Sequence, residues 1–201
     1  MSLSTFDVKW GKYKQYEGPY YHGRHKFVLS SNPTIQEKII YVITQTEGGT
    51  YDAVNLYDSC IASLGLIQFC DRFHLVSRLL GAVANNGGIA VIMQCLSEPL
   101  TRVGGTFKQN KNKQWRFFLG DKECITEKDL QQLYLGGSTG LIGEWTAEQA
   151  ETAKLWVVGL AKIWDSPSAR VTQVKFTSDR LLSFVMPETK KILFASDEWD
   201  G

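Results

Sequence analysis

Apolar residues recur at helical spacing in several stretches of this chain, and between them the period changes. Ile35, Ile39, Val42 and Ile43 follow a 3.6-residue repeat. That stretch opens at Asn32-Pro33-Thr34, where Thr34-Ile35-Gln36-Glu37 fits a capping box: the threonine hydroxyl accepts from the Glu37 N–H while the glutamate reaches back. It stops at Gly48-Gly49, a helix-ending signal. From Tyr51 to Phe69 the apolar positions Val54, Leu56, Tyr57, Ile61, Leu64, Leu66 and Ile67 are separated by small and polar residues, which predicts short strands.

Helical spacing returns at about 73–84 and 88–97. Phe107 to Leu119, around Asn110-Lys111-Asn112-Lys113, reads as a hairpin, and Glu127 to Leu135 as a short helix. The longest helix is expected from Thr146-Ala147-Glu148-Gln149, a second capping box, with Trp145 stapled onto Ala150. Ala153, Trp156, Val157, Leu160 and Trp164 make it a core helix. Ser166-Pro167 restarts the chain into a helix toward Val185, and Pro187 opens a last short one. Residues 1–31, rich in Tyr, Gly and Lys, read as an extended arm with a short strand at Lys26–Leu29, laid on a domain of residues 32–201. The class is α+β, mainly α, with a small β element after the first helix.

At 201 residues the chain is long enough for one self-sufficient core, so neither metal nor disulfide is required for stability. Lys and Arg total 22 against 21 Asp and Glu, and the absence of a clustered basic surface argues against nucleic acid as a partner. The apolar run Leu79–Leu96 is broken by Asn85-Asn86-Gly87-Gly88, so no membrane span is expected. The N-terminus has no basic region followed by an apolar one, so no Sec signal is read in it. Cys60, Cys70, Cys95 and Cys124 form no C-x-x-C pair and are read as reduced, packed thiols. His22-x-x-His25 lacks an acidic companion, so no metal and no cofactor are expected. No Gly-x-Ser-x-Gly elbow exists, and Cys70 near His74 is explained by proximity at a helix start.

Glu47 closes the first predicted helix, four residues after Ile43 and eight after Ile39, so it projects from the stripe expected to face the core. A carboxylate that is partly desolvated and near the negative end of the helix dipole has its pKa raised. A carboxylic acid kept protonated is what glycosidic cleavage needs as a general acid. The competing expectation is that Glu47 merely ends the helix and swings into solvent.

Downstream of Glu47, Gly65-Leu66-Ile67-Gln68 is followed by Phe69-Cys70-Asp71-Arg72, and 21 residues separate Glu47 from Gln68. This region resembles the active-site segment of the lysozyme-like superfamily, in particular goose-type lysozymes and soluble lytic transglycosylases. Those families end a helix on the catalytic glutamate and place Gly-Leu-Met-Gln about twenty residues later. The likeness spans Thr34 to Arg72; Gly48 stands where the transglycosylases usually have Ser, and their Ala-Tyr-Asn-Ala-Gly element is not found.

The resemblance implies a lysozyme-like fold and a muramidase that cuts the glycan strands of peptidoglycan or a related aminosugar polymer. Glu47 is then the general acid, and the two aspartates such enzymes carry near the motif map onto Asp58 and Asp71. Either can hold the water for inverting hydrolysis, which needs carboxyls about 6.5–9.5 Å apart; Asp58 is the first choice, and Asp71 equally reads as a cap on the next helix. Asp52 more plausibly begins the strand or caps the turn. Gln68, Gly65, Tyr51, Asn55, Tyr57 and Tyr134 are the candidate substrate contacts, each with packing as its alternative. Two other outcomes fit the same residues: a lytic transglycosylase using the same Glu47, or a non-catalytic sugar-binding or structural module of a phage particle or secretion apparatus. Without a Sec signal, such a protein is made in the cytoplasm and reaches the wall through lysis, virion delivery or dedicated secretion.

Overall fold

The computed structural model describes residues 6–47, 49–137 and 145–181. It begins with a β-hairpin, β1 (Lys9–Tyr13) and β2 (Tyr16–Tyr21), followed by α1 (Ile35–Thr46). Three two-residue strands follow, β3 (Val54–Asn55), β4 (Ser63–Leu64) and β5 (Phe69–Cys70). All five strands form one antiparallel sheet in the order β1-β2-β3-β4-β5. The strand of the N-terminal segment thus falls earlier than the composition of Lys26–Leu29 suggests; Lys26 makes only an isolated bridge to Thr50.

The helical layer comprises α2 (Leu75–Val83), α3 (Ile89–Val103), α4 (Glu127–Leu135), α5 (Ala147–Lys162) and α6 (Pro167–Arg180). A second antiparallel sheet, β6 (Gly105–Gln109), β7 (Trp115–Leu119) and β8 (Lys122–Glu123), is inserted between α3 and α4. Helix makes up about 52% and strand about 18%, so the chain is α+β and mainly helical. The expected helix toward Val185 is α6, which is described as far as Arg180; the helix expected after Pro187 lies outside the described residues.

Capping chemistry sets the helix starts. Thr34 accepts from the Glu37 N–H at 3.1 Å while Glu37 accepts from the Thr34 N–H at 2.7 Å, and Thr146 and Gln149 exchange the same pair of bonds at the head of α5. Helix α5 is the core helix its stripe predicts: Ala153, Trp156, Val157, Leu160 and Ala161 have no exposed surface. Between α2 and α3, Asn86 and Gly87 leave helical dihedrals, with Gly87 at φ 84°. The run Leu75–Val103 is long and apolar enough to cross a bilayer by length and composition. Here that run is bent at Asn86-Gly87, and Leu79, Leu80, Ile92 and Leu96 are turned wholly into the core.

A buried carboxylate joins the sheet to the helices. Asp71, at the end of β5, has no exposed surface; its Oδ1 accepts from the Ser77 N–H of α2 at 3.2 Å and its Oδ2 from the Tyr134 hydroxyl of α4 at 2.6 Å. Tyr134 in turn sits edge-on to Trp156, with ring centroids 4.9 Å apart. Burial raises the pKa of Asp71, while the Tyr134 and Ser77 bonds pull it down without cancelling the shift. A carboxyl raised in the fold adds stability below its unfolded pKa, and that contribution is lost as pH rises through the folded value.

Tyr134→Phe should leave a buried carboxylate oxygen without its donor and cost about 1–3 kcal/mol in urea unfolding. In Asp71→Asn the fall in stability with rising pH attributable to this group should disappear from the same measurement made across the acid range.

Candidate functional site

Helix α1 ends beside the small sheet. Glu47 is its C-cap, and its N–H donates to the Ile43 carbonyl at 3.1 Å. The buried row of α1 is Ile40 and Thr44, whereas Ile35 and Val42 are largely exposed. The helix is therefore rotated from the orientation its apolar stripe predicts, and the Glu47 side chain is exposed rather than partly desolvated. This corrects the expectation that burial acts on that carboxyl. Glu47 nonetheless lines a groove of about 370 Å³ between the end of α1 and strands β2–β4.

The N-terminal segment is held against this turn by side chains that follow Glu47. Thr50 donates to the His22 carbonyl at 2.7 Å, and Asp52 Oδ1 accepts from the backbone N–H groups of Arg24 and His25, each at 2.9 Å. Asp52 is wholly buried, so its part is to pin backbone. His25 bonds Asp165 at 2.8 Å, while His22 lines the groove, so the two histidines serve different neighbours. Among the described residues no cluster of three or more His, Cys, Asp or Glu side chains is placed to hold a metal ion.

Asp58 is the hub of the groove's far wall. Its Oδ1 accepts from the Cys60 N–H at 2.8 Å, and its Oδ2 accepts from Asn55 Nδ2 at 2.8 Å and Ser63 Oγ at 3.2 Å. Asn55 Oδ1 accepts from the Tyr57 N–H at 2.8 Å, which fixes the loop between β3 and β4. A carboxylate offers about four acceptor sites; three are taken here, leaving one on Oδ1 for a water or a substrate hydroxyl. Burial raises the Asp58 pKa, opposed by the Cys60 N–H and the Ser63 hydroxyl.

Gly65-Leu66-Ile67-Gln68 is the turn joining β4 to β5, closed by a 3.1 Å bond from the Gln68 N–H to the Gly65 carbonyl. Gln68 has φ 51°, a left-handed conformation uncommon for a residue with a side chain. It lines the groove. Glu47, Asp58, Asn55, Tyr57 and Gln68 are therefore brought together.

Four candidates are not. Asp71 and Tyr134 find each other in the core, far from solvent, and Asp71 does what its alternative reading describes by holding the first turn of α2. Gly65, at φ 79°, does not make room for a sugar; a Cβ there would lie 2.6 Å from Gln173 Oε1. That glutamine of α6 is wholly buried, accepting from the Leu66 N–H at 2.9 Å and donating to the Tyr51 carbonyl at 3.1 Å. Tyr51 lines a separate groove of about 740 Å³ between α1 and α6, edge-on to Phe27 at 6.1 Å.

Two features of the groove are not read from sequence. Tyr20, Tyr21 and His22 of the N-terminal hairpin form part of its wall, because Tyr20 pairs with Asn55 and Tyr21 with Val54 across β2 and β3. Cys60 and Cys70 form a disulfide, correcting their reading as reduced thiols; their Cα atoms lie 5.0 Å apart, within disulfide reach. Cys95 and Cys124 remain thiols, and burial pushes that of Cys124 up to about 12. The bridge joins cysteines ten positions apart and anchors Cys60, whose N–H donates to Asp58.

Cys60→Ser with Cys70→Ser, or reduction of the native protein, should lower unfolding stability by about 2–3 kcal/mol. The same change should loosen the Asp58 loop, read as faster amide exchange at Cys60 and Ser63 than at Leu79 of the core.

No family model, curated protein or solved structure matches this chain.

Proposed function

We propose that this protein is a lysozyme-like glycosidase that cleaves the glycan strands of peptidoglycan or a related aminosugar polymer, with Glu47 as general acid and Asp58 as the group that positions water. The observation that carries this reading is the convergence of Glu47 and Asp58 on one groove whose remaining polar lining is amide, hydroxyl and imidazole. In the proposed reaction the Glu47 carboxylic acid protonates the glycosidic oxygen as the C1–O bond breaks. A water held on the free acceptor site of Asp58 adds to C1 from the opposite face and gives its proton to that carboxylate. The product is a reducing end of inverted anomeric configuration.

Glu47 is exposed in the free protein, and a glycan lying in the groove covers it. Expelling water around a substrate strengthens each polar interaction inside the site. Asn55 and Gln68 supply amides of the kind that pair with N-acetyl groups. The Cys60–Cys70 bridge suits a protein that works in an oxidising compartment such as the one in which bacterial walls are met from outside.

One observation favours a second reading. Three donors already occupy Asp58, as befits a loop scaffold. A lytic transglycosylase needs no water at that position, since the 6-hydroxyl of the substrate attacks C1 and leaves a 1,6-anhydro ring. A module that binds the polymer without cutting it is the remaining alternative.

Glu47→Gln should remove turbidity loss on purified sacculi by at least about a hundredfold while sedimentation with sacculi persists. Wild-type protein that sediments with sacculi yet never clears them would sink the catalytic proposal. For the hydrolase, the acid limb of kcat/KM should lie above the ordinary aspartate value of about 3.9, because Asp58 must be ionised and burial raises its pKa. Asp58→Asn should abolish the reaction along with that limb. Full activity in Asp58→Asn with 1,6-anhydro products, separated by chromatography, would replace the hydrolase with the transglycosylase.

A further inference from the structure

The groove extends past the acid pair onto the N-terminal hairpin. We propose that this hairpin carries a saccharide subsite, in which Tyr20 and Tyr57, with His22 at their edge, receive the apolar face of a pyranose ring lying beyond the bond to be cut. The inference deepens the glycan-cleaving reading and rests on it.

The three rings are built as a unit. Tyr20 and Tyr57 meet at 65° with centroids 5.2 Å apart, and Tyr20 meets His22 at 77° and 4.9 Å. Tyr20 and Tyr57 are half-buried and His22 is exposed, so packing does not consume them. The Tyr57 ring lies on β1 over Gly11, where a Cβ would come within 2.8 Å of its Cδ1 and Cε1. A side chain at Gly11 would displace that ring. Its backbone is fixed by the bond from its N–H to Asn55 Oδ1, so little freedom is left for a ligand to remove.

The chemistry of the wall selects a neutral, hydroxylated ligand. The described residues lining the groove include Glu47 and Asp58 and neither Lys nor Arg, so an anionic ligand meets two carboxylates there. Aromatic faces with hydroxyl and imidazole groups at their rims suit a ring that is apolar on its C–H faces and polar at its edge. Burial, with Tyr20 and Asp58 nearby, raises the Tyr57 pKa and keeps its hydroxyl a donor across the neutral range. N-acetylglucosamine and its oligomers have this character.

The test titrates the full-length Glu47→Gln protein with N-acetylglucosamine tetramer and pentamer by calorimetry and by two-dimensional NMR. Shifts should appear at Gly11, Tyr20, His22 and Tyr57. Tyr20→Leu should weaken binding about threefold to tenfold, and Tyr20→Trp should restore it. His22→Ala, at an exposed position, should weaken it in the same direction with an unchanged melting curve. In otherwise wild-type protein acting on sacculi, the Tyr20→Leu loss should appear in KM. If sacculi are cut normally and neither Kd nor KM responds to Tyr20→Leu or His22→Ala, the subsite is wrong and the cleavage reading stands. If the oligomers bind at these rings while wild-type protein cuts nothing, the subsite stands and cleavage fails. Absence of any oligomer binding overturns the subsite.

Discussion

The whole arrangement turns on a carboxylate that water cannot reach. Asp71 sits where the small sheet gives way to the helical layer, and its two oxygens take donors from α2 and α4. Burying a charge is costly unless its acceptor sites are filled by well-placed donors, so the group has few alternative placements. It sets the direction in which the chain leaves β5 and the depth at which Tyr134 meets Trp156. Beyond that contact α5 packs against β2 and β3, while α2 packs against β5, the strand that leads into Asp71. On the other side of the sheet Gln173 does similar work, tying the backbone of Tyr51 and Leu66 to α6.

With the sheet held in this way, the groove needs little from the strands themselves, which are only two residues long at β3, β4 and β5. Its shape comes from turns. Asp58 gathers Asn55, Ser63 and the Cys60 N–H, and the disulfide ties Cys60 to the last residue of β5. Ile61 and Gln68, at φ 67° and 51°, hold conformations that side chains rarely adopt. Strain of this kind persists where the surroundings over-determine the backbone, and here it lies on either side of the β4 strand that forms part of the wall.

Much of the framework is legible in the sequence because its signals are local. Capping boxes at Thr34 and Thr146, Ser166 before Pro167, and the Asn-Lys hairpin each act within a few residues, and the corresponding elements begin where those residues place them. The site is less legible, since it depends on pairings between distant segments. That Glu47, Asp58 and Gln68 lie near one site is implied in the sequence by the lysozyme-like resemblance of the segment that carries them. That Tyr20 and His22 join them depends on β2 lying beside β3, which no local pattern encodes. Asp71 and Tyr134 carry the polar atoms of site residues and are spent on the core, a distinction that only burial reveals. The rotation of α1 differs from its stripe for a related reason: four apolar residues fix a face only to within one step, and the helix buries Ile40 and Thr44.

The N-terminal hairpin also leaves β1 as the outermost strand of a five-stranded sheet, with no strand on its far side among the described residues. An open row of amides invites a second sheet to add to it. Lys9 and Lys12 stand along this rim and are exposed. Lys9 is paired with Asp7 at 3.3 Å, so a strand arriving at this rim meets hydrated charge of both signs before any amide finds a carbonyl, which is edge chemistry that disfavours strand addition.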